Sequence, residues 1–131
     1  MTRTLRLTLA LAATALVVAV PATATADGPT ASASRNCPMS LNQQQNGFPP
    51  ASYVTSIRVF NTTCRKGKRV TRAFHRCRGN NGGANGQCRR RVLRFRCVEG
   101  RRNRGPGQYY VLRVVCKRGA KKIVSSYTQN V

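Results

Sequence analysis

The stretch CRKGKRVTRAFHRCR, residues 64–78, decides the fold because it combines two helical patterns. Its apolar members recur at the spacing of one face of an α-helix; they are Val70, Ala73, Phe74 and Cys77. Four arginines recur on the opposite side of the same helix; they are Arg65, Arg69, Arg72 and Arg76. The preceding Asn61-Thr62-Thr63 supplies side chains that cap helix N-termini. The sequence therefore predicts one amphipathic helix with a row of guanidinium groups facing solvent.

Segments with the two-residue period of β-strands lie on both sides of this helix. They cover residues 53–60 before it and residues 92–98, 109–116 and 121–127 after it. A basic Gly/Pro loop and a short turn connect the last three segments, which predicts antiparallel hairpins. The expected fold is therefore a small α+β domain with the order β-α-β-β-β, in which an antiparallel sheet packs on one amphipathic helix.

The N-terminal part of the chain has a different composition. Residues 1–26 contain two arginines, an apolar stretch and a small-residue site, which together are typical of a secretory signal peptide. Residues 27–50 are polar and lack a regular period, so we expect an extended N-terminal arm before the domain at 51–131. No apolar run reaches the length of a membrane-spanning helix. The sequence therefore predicts a secreted protein with no integral membrane span after cleavage.

All six cysteines follow the predicted cleavage site. They are Cys37, Cys64, Cys77, Cys88, Cys97 and Cys116. An even number in a short exported chain predicts three disulfide bonds, although the sequence leaves their pairing open. No two cysteines have the Cys-x-x-Cys spacing typical of zinc sites. We therefore expect a disulfide-stapled domain with neither a metal nor a cofactor.

The charge of the chain is its most unusual property. It has 24 Lys and Arg against two Asp and Glu, a net charge of +22. Two clusters extend the helical arginine row; they are Arg89, Arg90 and Arg91, and Arg101, Arg102 and Arg104. Guanidinium groups form paired hydrogen bonds with phosphate and carboxylate. The sequence thus predicts surfaces that bind an anionic polymer, such as nucleic acid or a cell-wall polyanion, or an anionic surface.

The same composition argues against catalysis. His75 is the only histidine, and Asp27 and Glu99 are the only acids, whereas acid–base catalysis normally uses two positioned groups. We therefore expect a non-catalytic monomer, and a ribonuclease based on His75 is the least favoured function. The composition is also compatible with a cationic membrane-active or antimicrobial effector, with an inhibitor of an extracellular enzyme that presents loop 79–87, and with a solvated arginine-rich face that reflects genome composition.

Four short segments carry a resemblance to a known group of proteins. They are SIRV at 56–59, TC at 63–64, FRC at 95–97 and VVCKRG at 114–119. Together they resemble small secreted, cysteine-containing proteins that are widespread in actinobacteria. The resemblance covers residues 56–127 and implies export and an α+β fold with cysteine-bearing strands. Those proteins are largely without assigned activity, so the resemblance carries no functional residue over.

Overall fold

The computed structural model describes residues 33–131, so the predicted signal peptide and residues 27–32 lie outside the described residues. The elements are β1 Ser34–Asn36, α1 Leu41–Asn46, β2 Tyr53–Phe60, α2 Cys64–Asn80, a 3-10 turn at Gly83–Asn85, β3 Arg96–Glu99, β4 Arg102–Gly105, β5 Gln108–Arg118 and β6 Lys121–Asn130. The strands form one sheet in the order β1-β2-β6-β5-β3, and β4 pairs with β5. All pairings are antiparallel. The α+β class with an antiparallel sheet and one main helix is therefore confirmed.

Helix α2 begins as the sequence predicts. The Thr63 side chain accepts a hydrogen bond of 3.2 Å from the backbone N–H of Lys66, so Thr63 is the N-cap. The apolar side chains of Val70 and Phe74 are buried. A Cβ atom on Gly67 would lie 2.5 Å from Cγ1 of Val59 on β2. The helix therefore crosses the sheet so closely that only glycine fits at this point.

The prediction of an extended arm does not hold for residues 33–50. Strand β1 pairs with β2, and the Ser40 side chain caps α1 by accepting from the backbone N–H of Gln43. Phe48 is only 1 % exposed and anchors the segment in the core. A three-residue strand and a six-residue helix are too short to show a period in a polar sequence.

The predicted strand 92–98 is also shorter than expected. Val92 and Phe95 exchange backbone hydrogen bonds of 2.9 and 2.8 Å. Between them Leu93 and Arg94 have positive φ angles of 48° and 67°, which no β-strand adopts. Leu93 is 41 % exposed at this turn. Only Arg96–Glu99 remains as strand β3.

The strand order around β5 differs from the prediction, and β5 departs from a strict two-residue alternation. The expected loop 99–108 contains β4, which forms a hairpin with β5. The pairing of β5 with β6 is irregular between Val111 and Val114, so both of these side chains are buried. The order β-α-β-β-β is thus corrected by two additional strands, β1 and β4, and one short helix.

Three disulfides join the described part of the chain. They are Cys37–Cys64, Cys77–Cys88 and Cys97–Cys116, and no cysteine there is free. The first ties the N-terminal segment to the start of α2, and the second ties the end of α2 to the chain that follows its loop. The third joins directly opposite residues of β3 and β5. The predicted number of disulfides is confirmed, and the structure supplies the pairing.

Within residues 33–131 no group of three or more His, Cys, Asp or Glu side chains is arranged to hold a metal ion. In the same part of the chain, no helix has both the length and the apolar character needed to cross a membrane.

Candidate polyanion-binding surfaces

The arginine row predicted on α2 lies on the solvent-exposed side of the helix. All four members are exposed; they are Arg65, Arg69, Arg72 and Arg76. The row covers eleven residue steps, or about 16 Å along the helix axis. Glu99 is the only acidic side chain in residues 33–131, and it lies away from the row beside Arg78 and Arg102. The row therefore has no carboxylate neighbour to neutralise it.

Arg72 is the member of this row that the fold holds in place. Its Nε donates a hydrogen bond of 2.8 Å to the carbonyl oxygen of Gly47. Its guanidinium carbon lies 5.6 Å from the centre of the Phe48 ring, a cation–π contact. A shallow depression beside it is lined by Arg69, Arg72, Ala73, Arg76 and Leu93. The exposed turn at Leu93 thus forms one wall of this depression, next to three guanidinium groups.

The cluster Arg89–Arg91 is also exposed and lies beyond the C-terminal end of α2. Its position is fixed by the preceding Cys88, which is disulfide-bonded to Cys77 of α2. Arg89 and Arg90 line a depression together with the loop at 81–87. The structure therefore ties this cluster to the helix that carries the α2 row.

The third predicted cluster is divided by the structure. Arg101 and Arg104 are exposed, whereas Arg102 is half-buried and ion-paired with Glu99. Arg102 also donates to the carbonyl oxygens of Asn85 and Gly86, at 2.8 and 2.7 Å. Its guanidinium is therefore engaged within the protein, and only Arg101 and Arg104 of this cluster remain directed to solvent.

Arg78 is an arginine whose role the sequence analysis missed, because its side chain is completely buried. It donates to the Ala84 carbonyl oxygen at 2.7 Å and to the Tyr109 hydroxyl at 2.6 Å. Its Nη1 lies 2.9 Å from Nδ1 of His75. Its Nε lies 3.7 Å from a carboxylate oxygen of Glu99. We call this group of five residues the Arg78 cluster; it joins α2 to the 3-10 turn and the sheet.

A signal for this burial is present in the sequence. Arg78 follows Phe74 by four residues and Val70 by eight, so it lies on the apolar stripe rather than in the exposed arginine row. An arginine on the buried stripe of a helix needs internal hydrogen-bond partners. The predicted helix therefore contained the position of Arg78, although two of its partners, Tyr109 and Glu99, come from distant parts of the chain.

His75 supports Arg78 from the same helix. The ring is fully buried and meets the rings of Phe74 and Tyr127 edge to face, at centroid distances of 5.3 and 4.7 Å. Burial, together with the charge of Arg78, lowers the pKa of His75 to about 3. The imidazole is therefore neutral at neutral pH, and Nδ1 is free to accept a hydrogen bond from Arg78.

We expect this depressed pKa to make the protein less stable in acid. The unfolded chain binds a proton at His75 as the pH falls through about 6.5, whereas the folded chain does not until about 3, so the free energy of unfolding falls across this range. Urea unfolding at pH 7, 6, 5 and 4 measures the effect. The His75→Gln variant should lose less stability between pH 7 and 4 than the unchanged protein; equal losses in the two proteins would contradict this explanation.

A further basic area lies on the side of the sheet opposite α2. Helix α2 packs on the face that carries Val59, Tyr109 and Tyr127, as the contacts of Gly67, His75 and Arg78 show. The opposite face carries five basic side chains from four strands; they are Arg58, Arg96, Arg113, Lys117 and Lys122. The sequence analysis missed this group because only the strand register brings its members together.

Comparisons with protein-family models, with curated proteins and with solved structures found no match to this chain, and its function is therefore inferred from the surfaces described above.

Proposed function

We propose that this protein is a secreted, monomeric and non-catalytic binder of anionic polymers. The α2 arginine row is the first contact surface, and Arg89–Arg91, Arg101 and Arg104 extend it. The observation that carries the proposal is the exposed row of four guanidinium groups with no carboxylate beside it. Such a surface attracts phosphate or carboxylate polymers by charge, with little dependence on their sequence.

Two further observations support parts of this proposal. Three disulfides are compatible with an oxidising compartment outside the cell, as secretion requires. His75 is buried and hydrogen-bonded to Arg78. This structural role accounts for the histidine without a catalytic function. The loop at 79–87 is the segment that an inhibitor of an extracellular enzyme would present. Hydrogen bonds from Arg78 and Arg102 to its carbonyl oxygens hold this loop from inside the protein.

The proposal predicts a specific loss of affinity when the α2 row is neutralised. We expect the triple variant Arg65→Gln, Arg69→Gln, Arg76→Gln to bind duplex DNA and heparin at least tenfold more weakly at low salt. Each lost phosphate contact also lowers the slope of log affinity against log salt by about one, so the slope for DNA should fall by about 2–3. Fluorescence anisotropy across a salt titration measures both quantities.

A matched control removes the same charge elsewhere. The variant Arg35→Gln, Arg118→Gln, Lys121→Gln neutralises three exposed side chains outside the proposed surfaces, and we expect it to lose less than threefold in affinity. Equal losses in the two triple variants would mean that the row acts only through net charge. Affinity that does not change with salt would overturn the charge-driven mechanism, and leakage of anionic vesicles without polymer binding would favour a membrane-active effector.

A further inference from the structure

The outward-facing side chains of the open sheet face form ordered rows across the strands. The first row contains one residue from each of β2, β6, β5 and β3; its members are Phe60, Lys122, Lys117 and Arg96. The second row lies two residues further along each strand; its members are Arg58, Val124, Val115 and Val98. Three adjacent valines thus lie beside a row of three cations.

Two shallow depressions on this face share part of their lining. The first is bounded by Arg58, Phe60 and Val124, and the second by Arg96, Val98 and Val115. Both are also lined by Arg113 and Lys122, so the two depressions have basic side chains in common. Val98 is 61 % exposed, which leaves apolar surface available to a ligand within this basic border.

An aromatic residue extends the same face. Tyr110 of β5 and Tyr53 of β2 both pair with Thr128 of β6, so the three side chains form a row across the sheet. Tyr110 is 44 % exposed. The Phe60 ring, in contrast, is covered by the Lys122 amine at 3.9 Å from its centre. Tyr110 is therefore the aromatic side chain of this face that is most available for stacking.

We propose that the open sheet face is a second binding surface, and that its ligand is a single-stranded nucleic acid. This inference rests on the proposed function and names the ligand class of a site separate from the α2 row. The cations of the face match phosphate groups, and its valines and Tyr110 match the faces of unpaired bases. A duplex buries its base faces within the stack, so it has no groups to contact the valines and Tyr110, and we expect it to bind at the α2 row instead.

The dimensions of the face suit an extended strand of a few nucleotides. Four neighbouring strands span three inter-strand distances, or roughly 14 Å. Along β5 the outward-facing side chains run from Tyr110 through Arg113 and Val115 to Lys117, a length of about 23 Å. Cationic and apolar groups alternate along this path, as a ligand with alternating phosphates and bases requires. Glu99, the one acidic side chain of residues 33–131, is not part of the face.

The test compares a labelled twelve-residue oligothymidine with a labelled DNA hairpin duplex, by fluorescence anisotropy of the oxidised full chain. The sheet-face triple variant carries Arg96→Gln, Arg113→Gln and Lys117→Gln. We expect it to lose at least tenfold in affinity for oligothymidine and less than threefold for the duplex. Tyr110→Ala should lose about fivefold or more for oligothymidine only, because stacking on an aromatic ring is lost. The triple variant of Arg35, Arg118 and Lys121 is the control of equal charge.

The outcomes separate this inference from the proposed function. If the sheet-face and control variants lose the same affinity for oligothymidine, or if Tyr110→Ala changes nothing, the sheet face is not a single-strand site, although polymer binding by the α2 row stands. If the unchanged protein binds neither oligonucleotide nor heparin, the proposed function fails and this inference fails with it. Circular dichroism of each variant shows whether a loss of affinity is accompanied by a loss of fold.

Discussion

Replacing Arg78 by Met is expected to lower the free energy of unfolding by about 2–4 kcal/mol, because it removes several hydrogen bonds made by one buried charged group. The variant leaves Nδ1 of His75 without its donor. It also removes one of two donors from the Ala84 carbonyl oxygen, which keeps the Tyr109 hydroxyl, and from the Gly86 carbonyl oxygen, which keeps Arg102. Each unsatisfied buried polar group costs about 1–3 kcal/mol. Met replaces the aliphatic part of the Arg side chain, so the effect reports the loss of the guanidinium group and its hydrogen bonds.

The matched control for this variant is Arg76→Met, on the same helix but exposed. A surface substitution of this kind changes stability by about 0.5 kcal/mol or less. Urea unfolding under non-reducing conditions compares the two, and the midpoint of Arg78→Met should fall by more than about 1 M. Midpoints that agree within error would show that the Arg78 cluster contributes no net stability.

The Arg78 cluster also has a consequence for the proposed binding surface. Arg78 and Arg102 hold the segment at 84–86 by its carbonyl oxygens, and the Cys77–Cys88 bond closes the loop that contains it. The exposed cluster Arg89–Arg91 begins at the next residue. Two buried or half-buried arginines therefore help to position three exposed ones, so loss of Arg78 should lower polymer affinity as well as stability.

The parts of the fold that could be predicted are those with a strong local period. Strand β2 has the predicted bounds, and α2 extends two residues beyond residue 78. The exposure of the α2 row also follows from spacing alone, because the opposite stripe must be buried. These features depend on residues a few positions apart, whose relation is visible in the sequence.

The features that could not be predicted depend on distant pairing or on unusual backbone conformations. Leu93 and Arg94 adopt positive φ without glycine, and the irregularity after Val111 breaks the two-residue alternation of β5. The rows of the open sheet face arise from the register of four strands, because a shift by one residue would exchange the two faces of a strand. The partners of Arg78 likewise come from the 3-10 turn, β3 and β5.

Removal of the Cys37–Cys64 bond, by changing both residues to Ala, is expected to lower the free energy of unfolding by about 3–4 kcal/mol. The bond joins residues 27 positions apart, whereas Cys77–Cys88 joins residues 11 positions apart. The longer loop restricts the unfolded chain more, so the corresponding Cys77→Ala, Cys88→Ala variant should lose about 0.7 kcal/mol less. Urea unfolding of the two double variants, beside the unchanged oxidised protein, measures the difference.

The location of the Cys37–Cys64 bond gives its removal a second expected effect. The segment that it closes contains Gly47 and Phe48, which hold the guanidinium group of Arg72 in the α2 row. Without the bond this support becomes more mobile, so affinity for duplex DNA should fall about twofold to threefold at a pH and temperature where the variant remains folded. The opposite result would be a larger loss of stability in the Cys77→Ala, Cys88→Ala variant than in the Cys37→Ala, Cys64→Ala variant. Restriction of the unfolded chain would then not explain the difference, and the packing around Cys77 and Cys88 would be the dominant contribution.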